Sequence, residues 1–413
     1  MLLRQTQLVS RTSRDAAKED VSVNAQLLVR AGFVDKLFAG VYSYLPLGVR
    51  VLAKIEHIIR EEMTRIGSQE VLMPALQPRE IWETTERWDM EVLFRLKGDG
   101  DRDLALGPTH EEVVTPLVGR FIQSYKDLPT SVFQIQTKFR NEPRAKSGVL
   151  RGREFRMKDM YSFHLDQADM DAYYERAKEA YTRVFERCGL GAQTFLTFAS
   201  GGAFSKYSHE YQTITPFGED TIHLWREKGI AVNREIVEDV REAPEWQGAR
   251  FEEVKAIEVG NIFQLGTRFS DACGISVQDA SGTKRSVLMG CYGIGSTRLL
   301  GTIVEVHHDE RGVRWPEEVA PFDVHLVSLA RSDTERSAVE QLVQQLDARG
   351  VDVLLDDRDV SAGQKFADSD LIGIPIRAVV SAKTLAAGSV EVKRRASAEV
   401  ERVPTDAFLA QFA

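Results

Sequence analysis

The chain has 413 residues, 43% of them hydrophobic, and a formal net charge of −9. That length suits two or three globular domains, and the acidic balance excludes a general basic coat for nucleic acid, leaving only local patches for any RNA contact. Cys188, Cys273 and Cys291 have neither disulfide-framework nor zinc spacing, which points to a reducing cytosol, and no apolar run reaches the ~20 residues of a membrane span.

The opening, MLLRQTQLVSRTSR, carries arginines and serines, so a transit peptide is an alternative to a cytoplasmic start. Residues 21–39 carry a helical pattern, with Leu27, Leu28, Phe33, Leu37 and Phe38 apolar, and residues 40–48 read as a bend. Val51, Leu52, Ile55, Ile58, Ile59, Met63 and Ile66 predict a long amphipathic helix that Gly67 ends. A strand over 69–73 then meets Pro74. Residues 91–97 and 103–106 flank Gly98-Asp99-Gly100 as a hairpin. The second arm runs into Gly107-Pro108-Thr109-His110-Glu111-Glu112. His110-Glu111 is not half of a zinc helix, because Val114 stands where the second histidine is needed. By itself Thr109 with Glu111 also suits a helix cap and an acidic first turn.

Residues 131–140 read as a strand, followed by a loop with Pro143, Gly148 and Gly152 and a return strand. Five arginines and two lysines fall between Lys138 and Arg156. Arg140 and Glu142 lie two apart, and Arg151 and Phe155 four apart, so each pair shares a strand face. Guanidinium forks, a carboxylate and a flat ring facing one space suit a nucleotide: the forks grip phosphate, the ring stacks on a base, and the carboxylate accepts from an exocyclic amine. A salt-bridged hairpin edge is the competing reading.

Residues 166–188 predict another amphipathic helix stopped by Gly189, and 193–198 a strand leading to Gly201-Gly202 and Ser208-His209-Glu210. A lone histidine beside a glutamate also suits a surface hydrogen bond. Residues 287–292 read as a strand, and Gly293-Ile294-Gly295-Ser296-Thr297-Arg298 opens a helix. Its G-x-G is not a dinucleotide fingerprint, since Arg298 stands at the third glycine position and no later acidic residue follows in a βαβ unit. His307 and His308, adjacent on a helix, point about 100° apart and do not chelate one ion easily. Beyond a linker at 315–321, strands over 322–329, 351–355 and 376–380 alternate with helices. Ser332-x-x-Glu335 reads as a capping box, and the order implies an α/β domain.

Phe139-Arg140-Asn141-Glu142 followed by Arg151-x-x-x-Phe155 resembles motif 2 of the class II aminoacyl-tRNA synthetases, and QTKFRNEPR with REFRMKDMYSFH resembles the bacterial-type prolyl-tRNA synthetases. The opening resembles where that family begins. The helix, strand and proline up to residue 76 resemble motif 1, and strand, glycines and Arg298 resemble motif 3. Asp356-Asp357-Arg358 with Gly363-Gln364-Lys365-Phe366 resembles the anticodon-binding domain of the prolyl, threonyl, histidyl and glycyl enzymes. The resemblance implies an α+β catalytic domain, an antiparallel sheet flanked by helices, over 1–316. Motif 1 lies at about 41–76, motif 2 at about 131–163 and motif 3 at about 287–305. A smaller α/β anticodon-binding domain follows over 320–413. Many bacterial-type relatives carry an editing domain between motifs 2 and 3, whereas here 218–255 is too short for one.

The implied activity is a proline–tRNA ligase reaction: L-proline and ATP give prolyl-adenylate and pyrophosphate, and prolyl passes to the 3′ end of tRNA(Pro). The implied catalytic residues are Arg140 and Arg298. ATP would take Arg140, Glu142, Arg151, Phe155, Gln264, Thr267, Gly293, Gly295 and Arg298; proline would take Thr109, Glu111, Arg140 and His209. Arg144 and Lys146 would approach the tRNA acceptor end. Mg2+ is implied with ATP, with no protein ligand identified. A cytoplasmic homodimer without membrane attachment is expected, with a separate deacylase clearing mischarged alanyl-tRNA. The alternatives are a threonyl enzyme, which needs a zinc site, a silent tRNA-binding paralogue, which should lose the motif arginines, and a non-tRNA adenylate-forming ligase, which should lack the C-terminal domain.

Overall fold

The computed structural model describes residues 1–13, 22–143, 145, 147–200, 207–241 and 243–412. Contacts divide the chain into two compact units: Phe38–Val41 with Ile55–Thr302, and Met1–Leu37 with Tyr42–Lys54 and Ile303–Ala413.

The first unit is built on a nine-stranded sheet. Its centre is antiparallel, in the order Glu252–Gly266, Leu288–Ile294, Glu154–His164 and Thr130–Phe139. Register decides what each face carries, because side chains alternate along a strand. Val132, Tyr161, Cys291 and Phe263 lie side by side on one face. Phe133, Met160, Tyr292, Ile262 and His209 line the other. The helix Gln167–Arg187 covers that second face. Asp166 caps it by accepting from the Asp169 N–H at 2.9 Å, and Gly189 at φ +77° ends it. Its buried stripe is aromatic, with Tyr173 and Tyr174 ring centroids 5.8 and 6.1 Å from Tyr292. The first face is left to carry chemistry along part of its length.

Among the described residues, the stretch 218–255 forms no compact unit of its own. Its strands Asp220–Trp225 and Ile230–Asn233 are members of the main sheet, and Trp246 closes a small core with Val232, Ile236, Val237 and Val240.

The second unit has a six-stranded sheet ordered Leu2–Arg4, Val353–Asp356, Val324–Ser328, Ile376–Val380, Ser389–Arg394 and Glu401–Pro404. The first four strands are parallel and the last two antiparallel. The α/β alternation read from the sequence is there, with one addition: Leu2–Arg4 forms an edge strand, and Arg4 holds Glu340 through two hydrogen bonds of 2.8 and 2.7 Å. Ser332 caps the helix Asp333–Asp347, but Glu335 reaches back to the Arg331 N–H at 2.7 Å, so the capping box is shifted by one donor.

Two local expectations are corrected. The helix expected over 21–39 stops at Arg30, because Gly32 turns the chain at φ +74°; the strands Val34–Phe38 and Val41–Tyr44 follow as a hairpin. Leu37 and Phe38 point outward, 71% and 53% exposed, where the helical reading turned them inward. The helix Ser296–Val306 ends before His307, so the two histidines do not share it.

In the first unit, Glu62 in the helix Pro46–Arg65 is 1% exposed and faces three arginines: Arg183 Nε at 2.7 Å, Arg187 Nη1 at 3.1 Å and Arg65 Nε at 3.1 Å. Burial opposes its charge, but Arg183 and Arg187 outweigh burial and hold its carboxyl below the ordinary value. Glu62→Gln should lower unfolding free energy by about 1–3 kcal/mol, the range for a lost charged hydrogen-bond partner, with the partly exposed arginines pulling it to the low end. A depressed folded-state pKa contributes stability above the ordinary carboxylate range and loses it as pH falls. The wild-type advantage in denaturant titration should therefore shrink toward acid pH.

Candidate active site

The strand Thr130–Phe139 delivers Arg140 to the edge of an open cleft, and the Arg140 N–H donates to Arg153 O at 2.8 Å, which closes the loop. Arg151 and Glu142 lie in the loop, outside both strands, and meet there, with Arg151 Nε 3.0 Å from Glu142 Oε2. The Arg140 guanidinium stands 5.2 Å over the Phe155 ring. Arg298, in the first turn of the helix Ser296–Val306, donates to Leu150 O at 2.8 Å and to Glu258 O and Oε2 at 3.1 and 3.2 Å. These five side chains, with Gly293, Gly295 and Asn261, line one open cleft.

Two features of the floor follow from backbone. A Cβ on Gly293 would strike the Met157 methyl and Asn261 Oδ1, so a side chain there would fill the cleft. A bulge at Val259 shifts the register between Tyr211 and Gln212, and Glu258 meets Asn261 through a 2.9 Å hydrogen bond. Burial lowers the Arg140 pKa first, and the nearby Arg298 cation lowers it further. Two guanidiniums face one space, an arrangement that an anion between them relieves.

Beside Arg140 lies the loop Gly107–His110. Arg140 Nη2 donates to Pro108 O in a long, 3.5 Å contact, and the Phe139 N–H donates to Gly107 O at 3.2 Å. Thr109 Oγ1 donates to Glu111 Oε2 at 2.6 Å, and Arg87 Nη1 approaches the same oxygen at 3.3 Å. The Cys291 thiol faces Glu111 Oε1 at 3.4 Å. Burial would raise the Glu111 pKa, but Arg87 and Thr109 outweigh it and hold the carboxylate ionised.

Beneath the loop is a buried polar network. Lys138 Nζ donates to His110 Nδ1 at 2.5 Å and lies 2.7 Å from Asp159 Oδ1. The His110 ring donates from Nε2 to Pro74 O at 3.1 Å. Asp159 Oδ2 accepts from Tyr161 and Gln134, both at 3.0 Å, and the Tyr161 hydroxyl accepts the His110 N–H at 3.0 Å. Burial first, then Lys138, lowers the His110 pKa to about 4, so its ring is neutral and free to accept.

Sequence reasoning singled out Thr109, Glu111, Arg140, Glu142, Arg151, Phe155, Gly293, Gly295 and Arg298, and the fold brings all of them to this connected region. Two others, His209 and Gln264, are not brought there, and Thr267 does not line the cleft. His209 lies on the opposite sheet face, where Nδ1 meets the Tyr174 hydroxyl at 2.9 Å and burial lowers its pKa to about 4. Gln264 shares that face by alternation with Ile262 and bonds Asp171 Oδ1 at 2.8 Å. Thr267 sits at the start of the helix Arg268–Ala272, its carbonyl accepting from Ser270 Oγ at 2.9 Å. Arg144, Lys146 and the Gly201-Gly202 stretch lie outside the described residues. Arg87, Lys138, His110 and Asp159 were missed; the available signal was Gln134, Gln136 and Lys138 recurring on one face of a strand that also reads as buried.

Comparison with known proteins adds a second line of observation. Residues 94–307 match the family model "tRNA synthetase class II core domain (G, H, P, S and T)", and residues 323–413 match "Anticodon binding domain". A proline--tRNA ligase of Phenylobacterium zucineum is 40% identical over 434 residues, covering 96% of this chain and 97% of that protein. One of Moorella thermoacetica is 33% identical over 561 residues, covering 99% of this chain and 98% of the relative, so the relative carries residues without a counterpart here. The structure of Giardia lamblia prolyl-tRNA synthetase in complex with prolyl-adenylate superposes with a TM-score of 0.77 at 20% identity, over 93% of this chain and 73% of that one, and shares the fold.

Asp159→Asn removes the countercharge of a lysine that is itself fully buried. Breaking a buried pair from one side costs about 3–5 kcal/mol. Chemical denaturation should show a loss of that order, and a loss below about 1 kcal/mol, the scale of an exposed pair, would mean the pair is solvated in solution.

Proposed function

The chain belongs to the proline–tRNA ligase family of class II tRNA synthetases, and on that premise we propose that it activates L-proline with ATP and charges tRNA(Pro). The proline carboxylate attacks the α-phosphorus, a carboxyl O–P bond forms, and the bond to the β-phosphate oxygen breaks to release pyrophosphate. A terminal ribose hydroxyl of the tRNA then attacks the prolyl carbonyl and AMP leaves. The observation that carries this assignment is a cleft lined by Arg140, Arg298 and Phe155, with Arg140 also bonded to Pro108 of the loop that carries Thr109 next to Glu111.

In the first step Arg140 bridges the carboxylate and the α-phosphate and stabilises charge as it builds on the phosphoryl oxygens. Arg298 and Arg151 hold the β,γ end. Phe155 stacks on adenine and Glu142 accepts from its amino group, which exchanges the Glu142–Arg151 pair for contacts to the nucleotide. Thr109 and Glu111 receive the two N–H donors of the secondary ammonium. Gly293 and Gly295 leave the cleft floor open for ATP. Arg144 and Lys146 are proposed to meet the tRNA acceptor end. Mg2+ belongs to the same proposal: Glu258 and Asn261 supply oxygen donors beside Arg298, and one or two such ligands plus phosphates suit this ion. Bound there, it would neutralise phosphate charge.

The division of labour proposed is catalysis in 1–316 and anticodon binding in 320–413, although Met1–Leu37, Tyr42–Lys54 and the chain from Ile303 to residue 316 group with the C-terminal unit, whose sheet includes Leu2–Arg4. A homodimer is supported by Leu72 and Leu76, 77% and 50% exposed in the segment that resembles motif 1. Among the described residues no helix is long and apolar enough to cross a membrane. Cys273 and Cys291 carry free thiols, which suits the cytoplasmic location proposed.

Amino-acid-dependent ATP–pyrophosphate exchange without tRNA tests the reading. Proline should support strong exchange, Arg140→Ala should abolish it, and exchange retained by that variant would remove Arg140 from its role. Alanine should support weak exchange, because an apolar pocket rejects a missing methylene by only about 1–3 kcal/mol. With 218–255 folded into the main sheet, mischarged alanyl-tRNA should accumulate with the purified enzyme until a separate deacylase is added. No accumulation would show that the chain discriminates or clears alanine unaided.

A further inference from the structure

Arg87 lies in the turn after the helix Arg79–Thr84, its N–H donating to Trp82 O at 2.8 Å. Glu86, just before it, holds φ +58°, a conformation non-glycine residues rarely adopt. The turn sends the Arg87 side chain inward, 14% exposed, with its guanidinium 5.6 Å from the Trp82 ring and 5.4 Å from the Phe269 ring. From there Nη1 reaches two neighbouring carboxylates, Glu111 Oε2 at 3.3 Å and Glu112 Oε1 at 2.8 Å.

The two carboxylates are not equivalent. Glu112 has a fully buried side chain, accepts from Thr85 Oγ1 at 2.9 Å, and leaves Oε2 without a hydrogen-bond partner. Burial, followed by the Glu111 charge, pushes its pKa up to about 7. Glu111 also takes the Thr109 hydroxyl and stays ionised. Its two stronger donors, Thr109 and Arg87, bind Oε2, whereas Oε1 accepts only from the weakly donating Cys291 thiol, at 3.4 Å.

We propose that Arg87 is the positioning residue of the amino-acid pocket: together with Thr109 it locks Oε2 of Glu111, and so presents Oε1 to the substrate ammonium. The aromatic pair holds the cation in place, and the strained turn sets its approach. The inference rests on the role proposed for Glu111, which a parallel variant tests separately.

The experiment is pyrophosphate exchange by the full-length chain, with KM for proline and KM for ATP measured on wild type, Arg87→Met, Arg87→Lys and Glu111→Gln. Arg87→Met should raise the proline KM by about tenfold to a hundredfold, the range for losing a charged hydrogen-bond partner, with the ATP KM unchanged. Arg87→Lys keeps one cation between the carboxylates and should recover part of that loss. If the methionine variant does not fold, the lysine variant should still show a severalfold rise confined to proline. A proline KM within twofold of wild type in the folded Arg87 variants, or equal rises for proline and ATP, would overturn the proposal. Glu111→Gln should raise the proline KM in every case; if it does not, the fault lies in the role assigned to Glu111, and the proposal falls with it.

Discussion

The cleft depends on two opposite charges withdrawn from water. Lys138 and Asp159 stand on adjacent strands, 2.7 Å apart and buried. Desolvating such a pair costs several kcal/mol per ion, and apolar replacements are often as stable, so stability alone does not account for it. What apolar side chains could not do is grip a loop. Lys138 donates to the His110 ring, Asp159 orients Tyr161, and Tyr161 takes the His110 N–H. The loop that presents Thr109 and Glu111 is therefore fixed to the same two strands that present Arg140 and Phe155. The spacing between the two ends of the site is set by a rigid sheet.

That arrangement also explains what could be read in the sequence. Arg140, Phe155 and the glycines before Arg298 were legible because strand alternation and backbone approach are local properties. The second unit was legible because its strands and helices alternate cleanly. His209 and Gln264 were not, since a residue's face depends on register with strands far away in the chain, as in the pairing of Phe263 with Cys291 and of Cys291 with Tyr161, 130 positions apart. Arg87 was invisible for a related reason: its partners lie 24 and 25 residues on, and its aromatic neighbour Phe269 much further. The hairpin over 34–44 was hidden because its apolar residues also fit a helical period; only Gly32 and Gly40 marked the turns.

The edge strand Leu2–Arg4 carries the same lesson at the level of the chain. Three residues contain too little pattern to predict a strand, and the partner, Val353–Asp356, lies some 350 positions later. Its attachment uses specific polar contacts as well as backbone: Arg4 on Glu340, and Thr6 on Asp357 through both its N–H and its hydroxyl, at 3.1 and 2.7 Å. Such pairing protects an edge that would otherwise expose unpaired backbone groups.

Along the cleft, charge changes sign in one direction. The amino-acid end is negative at Glu111, and the Arg140 guanidinium follows across Pro108. Arg298 and Arg151 follow beyond Phe155. A zwitterion laid along this gradient puts its ammonium at the carboxylate and its own carboxylate at Arg140. On the proposed reading a polyphosphate would extend toward the remaining cations, bringing the attacking oxygen and the α-phosphate together at Arg140. On the proposed reading, orientation and charge stabilisation come from one preorganised field, which is most of what phosphoryl attack requires of a protein. The cost appears at Arg140, whose pKa is lowered by burial and then by the nearby Arg298 cation. A substrate anion removes that repulsion on entry, which makes the nucleotide the partner that completes the site.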